Sequence, residues 1–345
     1  MYKLRILIVT PKRTGIGGVA QHVSKLGEKL TELGHEVDYL SCEDLPCLKI
    51  KGLANPSFMV LSAFSTLARR LKRKYDVVHA HNIPSSIAMK LTAAKKVLTL
   101  HGVYSEQIKY LHGGTASKIS SYLENKALEW ADAVTAVSKA TAKWYRKRGV
   151  NVKYVPNAID PADLPSEELK LFDKQIVFIG RLSKEKGPDI LLKAFKQLDT
   201  DAHLLFIGDG PLRSQLETEA EGYNHIHFLG YKPRREALKI LKASDIFVLP
   251  SRHEGLSTAL LEAMALKVPI IATRIAGNLE LIDENSGMLV DPENPKQLAE
   301  TIAMLLSNND KAKRLAENAY NKAMNKYNWN VVIHLYLKIY EENSV

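Results

Sequence analysis

"KLRILIVTPKRTGIGGVAQHVSKLGEKLTELGHEVDYLS" (residues 3–41) contains, in one run, the pattern that the rest of the chain repeats. Residues 3–11 are an apolar, β-type run closed by Pro11, and read as a strand. "TGIGGVAQH" (14–22) is a glycine loop that opens a helix, with Leu26, Leu30 and Leu33 on one stripe and Gly34 as its stop. "HEVDYLS" (35–41) reads as the next strand. Apolar strands alternating with helices predict a parallel sheet covered on both faces. Further strands are expected at 76–81, 96–102, 133–138 and 152–157, with helical patterns between most of them.

The pattern then starts again. "DPADLPSEELKLFD" (160–173) is polar and proline-rich, as an interdomain connection should be. Strand-like runs follow at 175–181, 203–210, 226–231, 246–251 and 269–274, with a helix from about 188 to 198 after the first. The last portion is mostly helical by periodicity. "NWNVVIHLYLKIYEE" (328–342) carries an aromatic and aliphatic stripe that needs a surface to cover it. The expected architecture is α/β, with two Rossmann-like doubly wound domains at 1–160 and 161–325 and a terminal segment, 326–345. The ligand site is expected in a cleft where the carboxyl ends of the two sheets face each other.

Bulk properties narrow the function classes. The 345 residues are 46% hydrophobic, enough for two cores. No apolar run reaches the roughly 18–20 residues that span a bilayer. The amino-terminal run lacks the apolar length and cleavage site of a signal peptide. Cys42 and Cys47 are too few and too loosely spaced for a disulfide framework or a zinc site, so a reducing cytoplasm is expected.

Charge is uneven. Residues 1–160 hold 25 Lys+Arg against 12 Asp+Glu, and the remainder 23 against 26, which together give the net +10. The basic half calls for an anionic partner. Its clusters are "ARRLKRKYD" (68–76) and "KATAKWYRKRG" (139–149), where Trp144 and Tyr145 interleave with cations. Read as helices, both suit an anionic membrane surface, and equally two solvated faces. No nucleic-acid module accompanies the charge.

Several short stretches could carry chemistry. Amides of Gly17 and Gly18 can approach an anion at a helix start. In "IGRLSKEKGPDILLKAF" (179–195), Arg181 leaves a strand end and Lys186 precedes a helix, a fork and a point charge suited to a diphosphate or to plain solvent exposure. "IGDGP" (207–211) reads as a cleft-lining turn through Gly208, with no second acid near Asp209 to suggest a metal. His79, His81 and His101 lie at predicted strand ends. "SRHEGLSTALLEAMA" (251–265) places Glu254 in a loop and Glu262 inside a helix that Ser257 is expected to cap. Amides of Ser257, Thr258 and Ala259 would form an anion cradle between the two acids. Paired metal ligands are disfavoured, because no third ligand stands at the right spacing.

In order, "GIGGVA", "TLHG", "VPNAID", "GRLSKEKG", "GDGP" and "EGLSTALLE" resemble the retaining glycosyltransferases of family 4, which have the GT-B fold. The resemblance covers nearly the whole chain, and Glu254 and Glu262 fit the family's pair of glutamates with seven residues between them. It implies transfer of a hexosyl group from a UDP-sugar or GDP-mannose to a sugar or lipid-linked acceptor, with retention and with neither metal nor cofactor. Arg181 and Lys186 would neutralise the donor diphosphate, and amides of Gly17, Gly18, Thr258 and Ala259 would support it. Gly208, Gly255, Leu256 and Ser257 would line the donor site, and Tyr231 and Lys232 would lie near the base. Glu262 would accept from ribose hydroxyls. Glu254 and His101 would hold the sugar, and the final helix would cross back to the first domain. Ser257 departs from the glycine common at its position, and "IAGNLELI" (275–282) has one glycine where two are usual. An epimerase of the same fold, using the three histidines, and a non-catalytic nucleotide- or nucleic-acid-binding protein are the alternatives. The expected location is cytoplasmic, with peripheral attachment to the membrane through the basic first domain.

Overall fold

Ile176, Val177 and Phe178 are all fully buried although neighbouring side chains on a strand point to opposite faces. Ile176 and Phe178 enter one hydrophobic cluster and Val177 the other, so the sheet is covered on both sides. The computed structural model describes all residues except 1–2, 16, 49, 51–52, 107–113 and 343–345. It divides into two units, Met1–Asn157 with Trp329–Val345, and Ala158–Asn328.

Unit 1 is a parallel sheet in the order β2-β1-β3-β4-β5-β6. Its strands are β1 (Arg5–Val9), β2 (Glu36–Leu40), β3 (Val77–His81), β4 (Lys95–Leu100), β5 (Ala133–Ala136) and β6 (Val152–Tyr154). Unit 2 has the order β12-β11-β10-β7-β8-β9. There the strands are β7 (Gln175–Ile179), β8 (His203–Ile207), β9 (Ile226–Gly230), β10 (Ile246–Leu249), β11 (Ile270–Thr273) and β12 (Met288–Val290). Both are doubly wound. Strand order reverses between β1 and β3 in unit 1, and between β7 and β10 in unit 2. At such a point, loops leaving the carboxyl ends diverge and open a crevice.

The proline-rich stretch after residue 160 is not a free connection. Leu164, Leu169 and Phe172 pack against the unit 2 core. The Leu169 amide donates to the Lys239 carbonyl at 3.0 Å, and the Phe172 ring stacks on His203 at 3.8 Å. Burying three apolar side chains straps this segment to unit 2, which begins at Ala158. At the other end, Tyr327 stays with unit 2. It is buried, and its hydroxyl donates to the Glu280 carbonyl at 2.9 Å. Unit 2 ends at Asn328.

The helix Trp329–Glu341 returns to unit 1 and packs beside the helix Gly18–Glu32. The stripe seen in the sequence becomes Trp329, Val332, Ile333, Tyr336, Leu337 and Tyr340, all buried. Residues 343–345 of the expected terminal segment lie outside the described residues. Two tyrosines carry polar ends inward, and buried histidines meet them. His22 Nε2 shares a hydrogen bond with the Tyr336 hydroxyl at 3.0 Å. His79 Nδ1 does so with Tyr340 at 2.7 Å, while its Nε2 bonds Thr99 Oγ1 at 2.6 Å. Burying each hydroxyl against a ring nitrogen avoids the penalty of an unpaired polar group.

Burial holds these imidazoles neutral. It lowers His22 to about 4, opposed only by Asn157, and it lowers His79 to about 3, helped by the charge His22 would carry. His81 and His101 are also driven well below the ordinary histidine value by burial first and by their neighbours second. An unfolded chain binds these protons near pH 6.5 while the folded one refuses them, so stability falls as pH drops from about 6.5 towards 4. The contribution of His22 alone is on the order of 3 kcal/mol across that window. Thermal melts between pH 7.5 and 5 are expected to show a falling Tm for unit 1, with His22→Gln flattening the slope. A Tm that does not change over that range contradicts the neutral buried cluster.

Candidate active site

In unit 2 the two strands that flank the order reversal deliver the charged groups. β7 runs into Gly180 and Arg181, and the Arg181 side chain is exposed at the strand's carboxyl end. β10 runs into Pro250, Ser251 and the loop bearing Glu254. A 3-10 turn, Lys184–Lys186, turns Lys186 towards that loop. Lys186 Nζ donates to both oxygens of Glu254, at 2.6 and 2.7 Å, and Ser251 Oγ donates to Oε1 at 2.8 Å. The Glu254 side chain is 6% exposed and that of Lys186 28%. Lys186 was expected beside Arg181 as a diphosphate clamp. The structure places it on Glu254, because a carboxylate this buried needs a cation within contact. An ammonium has three N–H donors, and Glu254 takes two.

Two glycines let the loops approach this closely. Gly187 adopts a left-handed φ of 69°, and a Cβ there would lie 2.1 Å from the Pro250 carbonyl oxygen. A Cβ on Gly277 would lie 2.5 Å from the carbonyl oxygens of both Glu254 and Gly255. The single glycine of "IAGNLELI" is thus the one the loop's backbone requires.

Ser257 caps the helix Thr258–Ala265, its hydroxyl accepting from the Leu260 amide at 3.3 Å. The departure from glycine therefore supplies a side-chain cap, worth roughly a few tenths of a kcal/mol over glycine. Leu256 has its side chain in the unit 2 core, 8% exposed. Thr258 and Ala259 form the first turn, where amides have no intrahelical partner. Glu262 is buried one turn in, and its Oε1 accepts from Arg234 Nε at 2.7 Å. Burial raises its carboxyl above the ordinary glutamate value, and the Arg234 charge opposes that without cancelling it.

Arg252 escaped the sequence reading. Its guanidinium forms a fork on Asp189 at 2.7 and 2.8 Å, donates to the Lys184 carbonyl at 2.6 Å and binds Glu293. Its amide donates to the Glu185 carbonyl at 2.8 Å. These bonds tie the turn carrying Lys186 to the loop carrying Glu254. Burial alone would raise the Asp189 carboxyl, but the bonds and charge of Arg252 outweigh it and hold the group below the usual range. The partners lie 63 and 41 residues from Arg252, so no local pattern could have revealed them.

The remaining expected site residues are spread more widely. The Gly208 amide donates to the Gly230 carbonyl at 2.8 Å, fixing the β8 turn. Asp209 pairs with Arg213 at 3.1 Å. Tyr231 is exposed after β9, and Lys232 pairs with Glu236 at 2.8 Å. In unit 1, Gly17, with φ 128°, precedes the helix that begins at Gly18, and no acid occupies that helix's first turn. His101 lies just past β4; its Nε2 shares a bond with His81 Nδ1 at 3.1 Å, and its amide donates to Asn82 Oδ1 at 2.9 Å. Ring nitrogens of His22, His81 and His101 lie within 4.8 Å of one another, close enough to share one ion. His79 has both ring nitrogens engaged within the unit 1 core.

Comparison with known proteins follows this division of the chain. A family model described as Glycosyltransferase Family 4 matches residues 16–163, and one described as Glycosyl transferases group 1 matches residues 161–322. An uncharacterized glycosyltransferase of Methanocaldococcus jannaschii is 27% identical, with 98% of each chain covered. Spore coat protein SA of Bacillus subtilis is 30% identical over 79% of this chain and 80% of that one. Among solved structures, sucrose-phosphate synthase from Thermosynechococcus elongatus superposes with a TM-score of 0.78 at 21% identity, covering 98% of both chains. That likeness, with two six-stranded parallel sheets, is the GT-B fold. Together the two matched regions run from residue 16 to residue 322, and the chain belongs to the family 4 glycosyltransferases of glycosyl transferase group 1.

Proposed function

We propose that this glycosyltransferase moves a hexosyl group from a UDP-sugar or GDP-mannose to an acceptor hydroxyl, with retention of anomeric configuration and without a metal. The observation that carries the reading is the Lys186–Glu254 pair, with Arg181 exposed at the end of the adjacent strand, where strand order reverses in unit 2. Glu254, gripped by Lys186 and Ser251, presents a fixed acceptor surface for hydroxyls of the donor sugar. The third N–H of Lys186 and the Arg181 fork supply positive charge where the leaving diphosphate accumulates negative charge, the place where electrostatic stabilisation counts most. The first-turn amides at Thr258 and Ala259 add donors of the same sign. Arg234 holds one oxygen of Glu262, leaving the other to accept from the ribose. With two cations at the leaving group, a donor phosphate oxygen can receive the acceptor's proton on the face from which the nucleotide departs.

Glu254→Gln keeps the shape but removes the charge that orients Lys186. It is expected to lower kcat by about 10²–10³ while the Kd for free nucleotide changes by less than about threefold. Wild-type kcat in this variant overturns the role. Chelation by EDTA is expected to leave turnover within about twofold of the untreated enzyme, since Arg181 and Lys186 carry the charge that a divalent ion otherwise would. Loss of turnover restored by a divalent ion would instead place an ion in the reaction, with the His22, His81 and His101 group the first place to look.

A further inference from the structure

The connections from β2 to β3, β3 to β4, β4 to β5 and β5 to β6 all run in the same direction across the unit 1 sheet. Right-handed crossovers put all of their helices on one face. The helix Ala54–Lys72 packs on Ser86–Lys90, which packs on Gly114–Trp130, and Lys139–Arg146 completes the layer beside β5 and β6. Ala54–Lys72 turns Phe58, Ser62 and Thr66 inward. Its outer side carries Val60, Phe64, Leu67 and Leu71, spaced at i, i+4, i+7 and i+11, with exposures of 55, 68, 39 and 88%. This is an apolar stripe in water, and the helix holds no acid to break it. Ile119 and Tyr122, in the same layer, are also exposed.

The cations lie alongside. Arg70, Lys72 and Lys74 are exposed at the end of the stripe, whereas Arg69 and Arg73 turn back to Tyr39, Glu36 and Asp38. At the far end of the layer an open groove of about 600 Å³ is lined by Lys139, Lys143, Arg146, Lys147 and Tyr154. The aromatic pair expected to accompany those cations is not available. Tyr145 is buried, with its hydroxyl on Glu124, and the Trp144 ring is covered by the Arg148 guanidinium at 3.2 Å. The apolar part of the surface comes from a different helix than the sequence suggested.

We propose that this helical layer docks on an anionic lipid bilayer, with the Val60–Phe64–Leu67–Leu71 row entering the boundary between headgroups and acyl chains and the lysine groove facing lipid phosphates. Among the described residues no helix is long and apolar enough to cross a membrane. The occupant follows from the combination. A polyanion such as nucleic acid would use the cations and leave Phe64 and Leu71 in water. A second copy of the chain would bring like charges together. An anionic bilayer satisfies both, with an apolar interior under a negative surface. The inference concerns unit 1 alone and stands apart from the transfer chemistry of unit 2.

Co-sedimentation with phosphatidylcholine vesicles, with and without phosphatidylglycerol, tests it. The full chain is expected to bind only the anionic vesicles and to lose binding as salt rises. Phe64→Ser with Leu71→Ser is expected to reduce partition by about tenfold or more, with the thermal melt unchanged because both side chains are exposed. Lys143→Glu with Lys147→Glu should remove most of the salt-dependent part. Phe64→Trp supplies a readout that does not rely on loss, since its emission should shift to the blue on adding anionic vesicles. The proposal is overturned by no binding, by equal binding to both vesicle types, by wild-type binding in the serine pair, or by an unshifted tryptophan. A dimer that the serine pair dissociates, in a chain that ignores vesicles, also overturns it. Nucleotide binding measured in the same variants separates this outcome from any failure of the transfer reading.

Discussion

A parallel sheet covered by helices on both faces has no wet side, so polar chemistry can be placed only at the ends of its strands. That constraint governs both units of this protein. Every strand residue from Ile6 to Val9 is buried, and so is every residue from Ile246 to Leu249. Charged groups gather instead where the strand order reverses and loops part. In unit 2 that place holds Arg181, Lys186 and Glu254. In unit 1 it holds the glycine turn after β1, His81 at the end of β3 and His101 just past β4.

The pairing of Lys186 with Glu254 is better understood as orientation than as stability. Removing two charges from water costs several kcal/mol per ion, and their attraction recovers that cost only when geometry and further hydrogen bonds are good. Here both carboxylate oxygens are engaged and Ser251 adds a bond, so the carboxylate is fixed in direction. Glu262 is held by the same device from another helix, through Arg234. The two glutamates of the motif therefore reach their positions by separate routes: one rides on a loop braced by Arg252, Asp189 and Gly277, the other on a helix capped by Ser257. Their eight-residue separation in the chain is the outcome of a strand end, a loop and one helical turn.

Unit 1 shows the complementary case, polar groups buried without charge. Burial denies protons to His22 and His79, and the returning helix satisfies them with Tyr336 and Tyr340. The aromatic stripe of that helix is thus more than an apolar cover. It brings two hydroxyls to two ring nitrogens that otherwise lack partners, which specifies how the terminal helix seats on the unit.

What the sequence by itself determined was repetitive and local. Alternation of apolar strands with helical stripes was enough for two doubly wound units, and Ser257 could be named as a cap because the bond it makes spans three residues. Glu254 and Glu262 could be singled out because two acids in an apolar and hydroxylic stretch are conspicuous. Only the tertiary structure decided partners far apart in sequence. Lys186 meets Glu254 across 68 residues, and Arg234 meets Glu262 across 28. Arg252 looked like one more surface cation until its fork closed on Asp189. The same limit applied to the basic clusters, where sequence shows charge but not direction. Arg73 turns inward and Tyr145 is buried, while Phe64 and Leu71, apolar and unremarked, stand in water. A sequence carries the period of a helix, but which face is covered depends on what the rest of the chain packs against it.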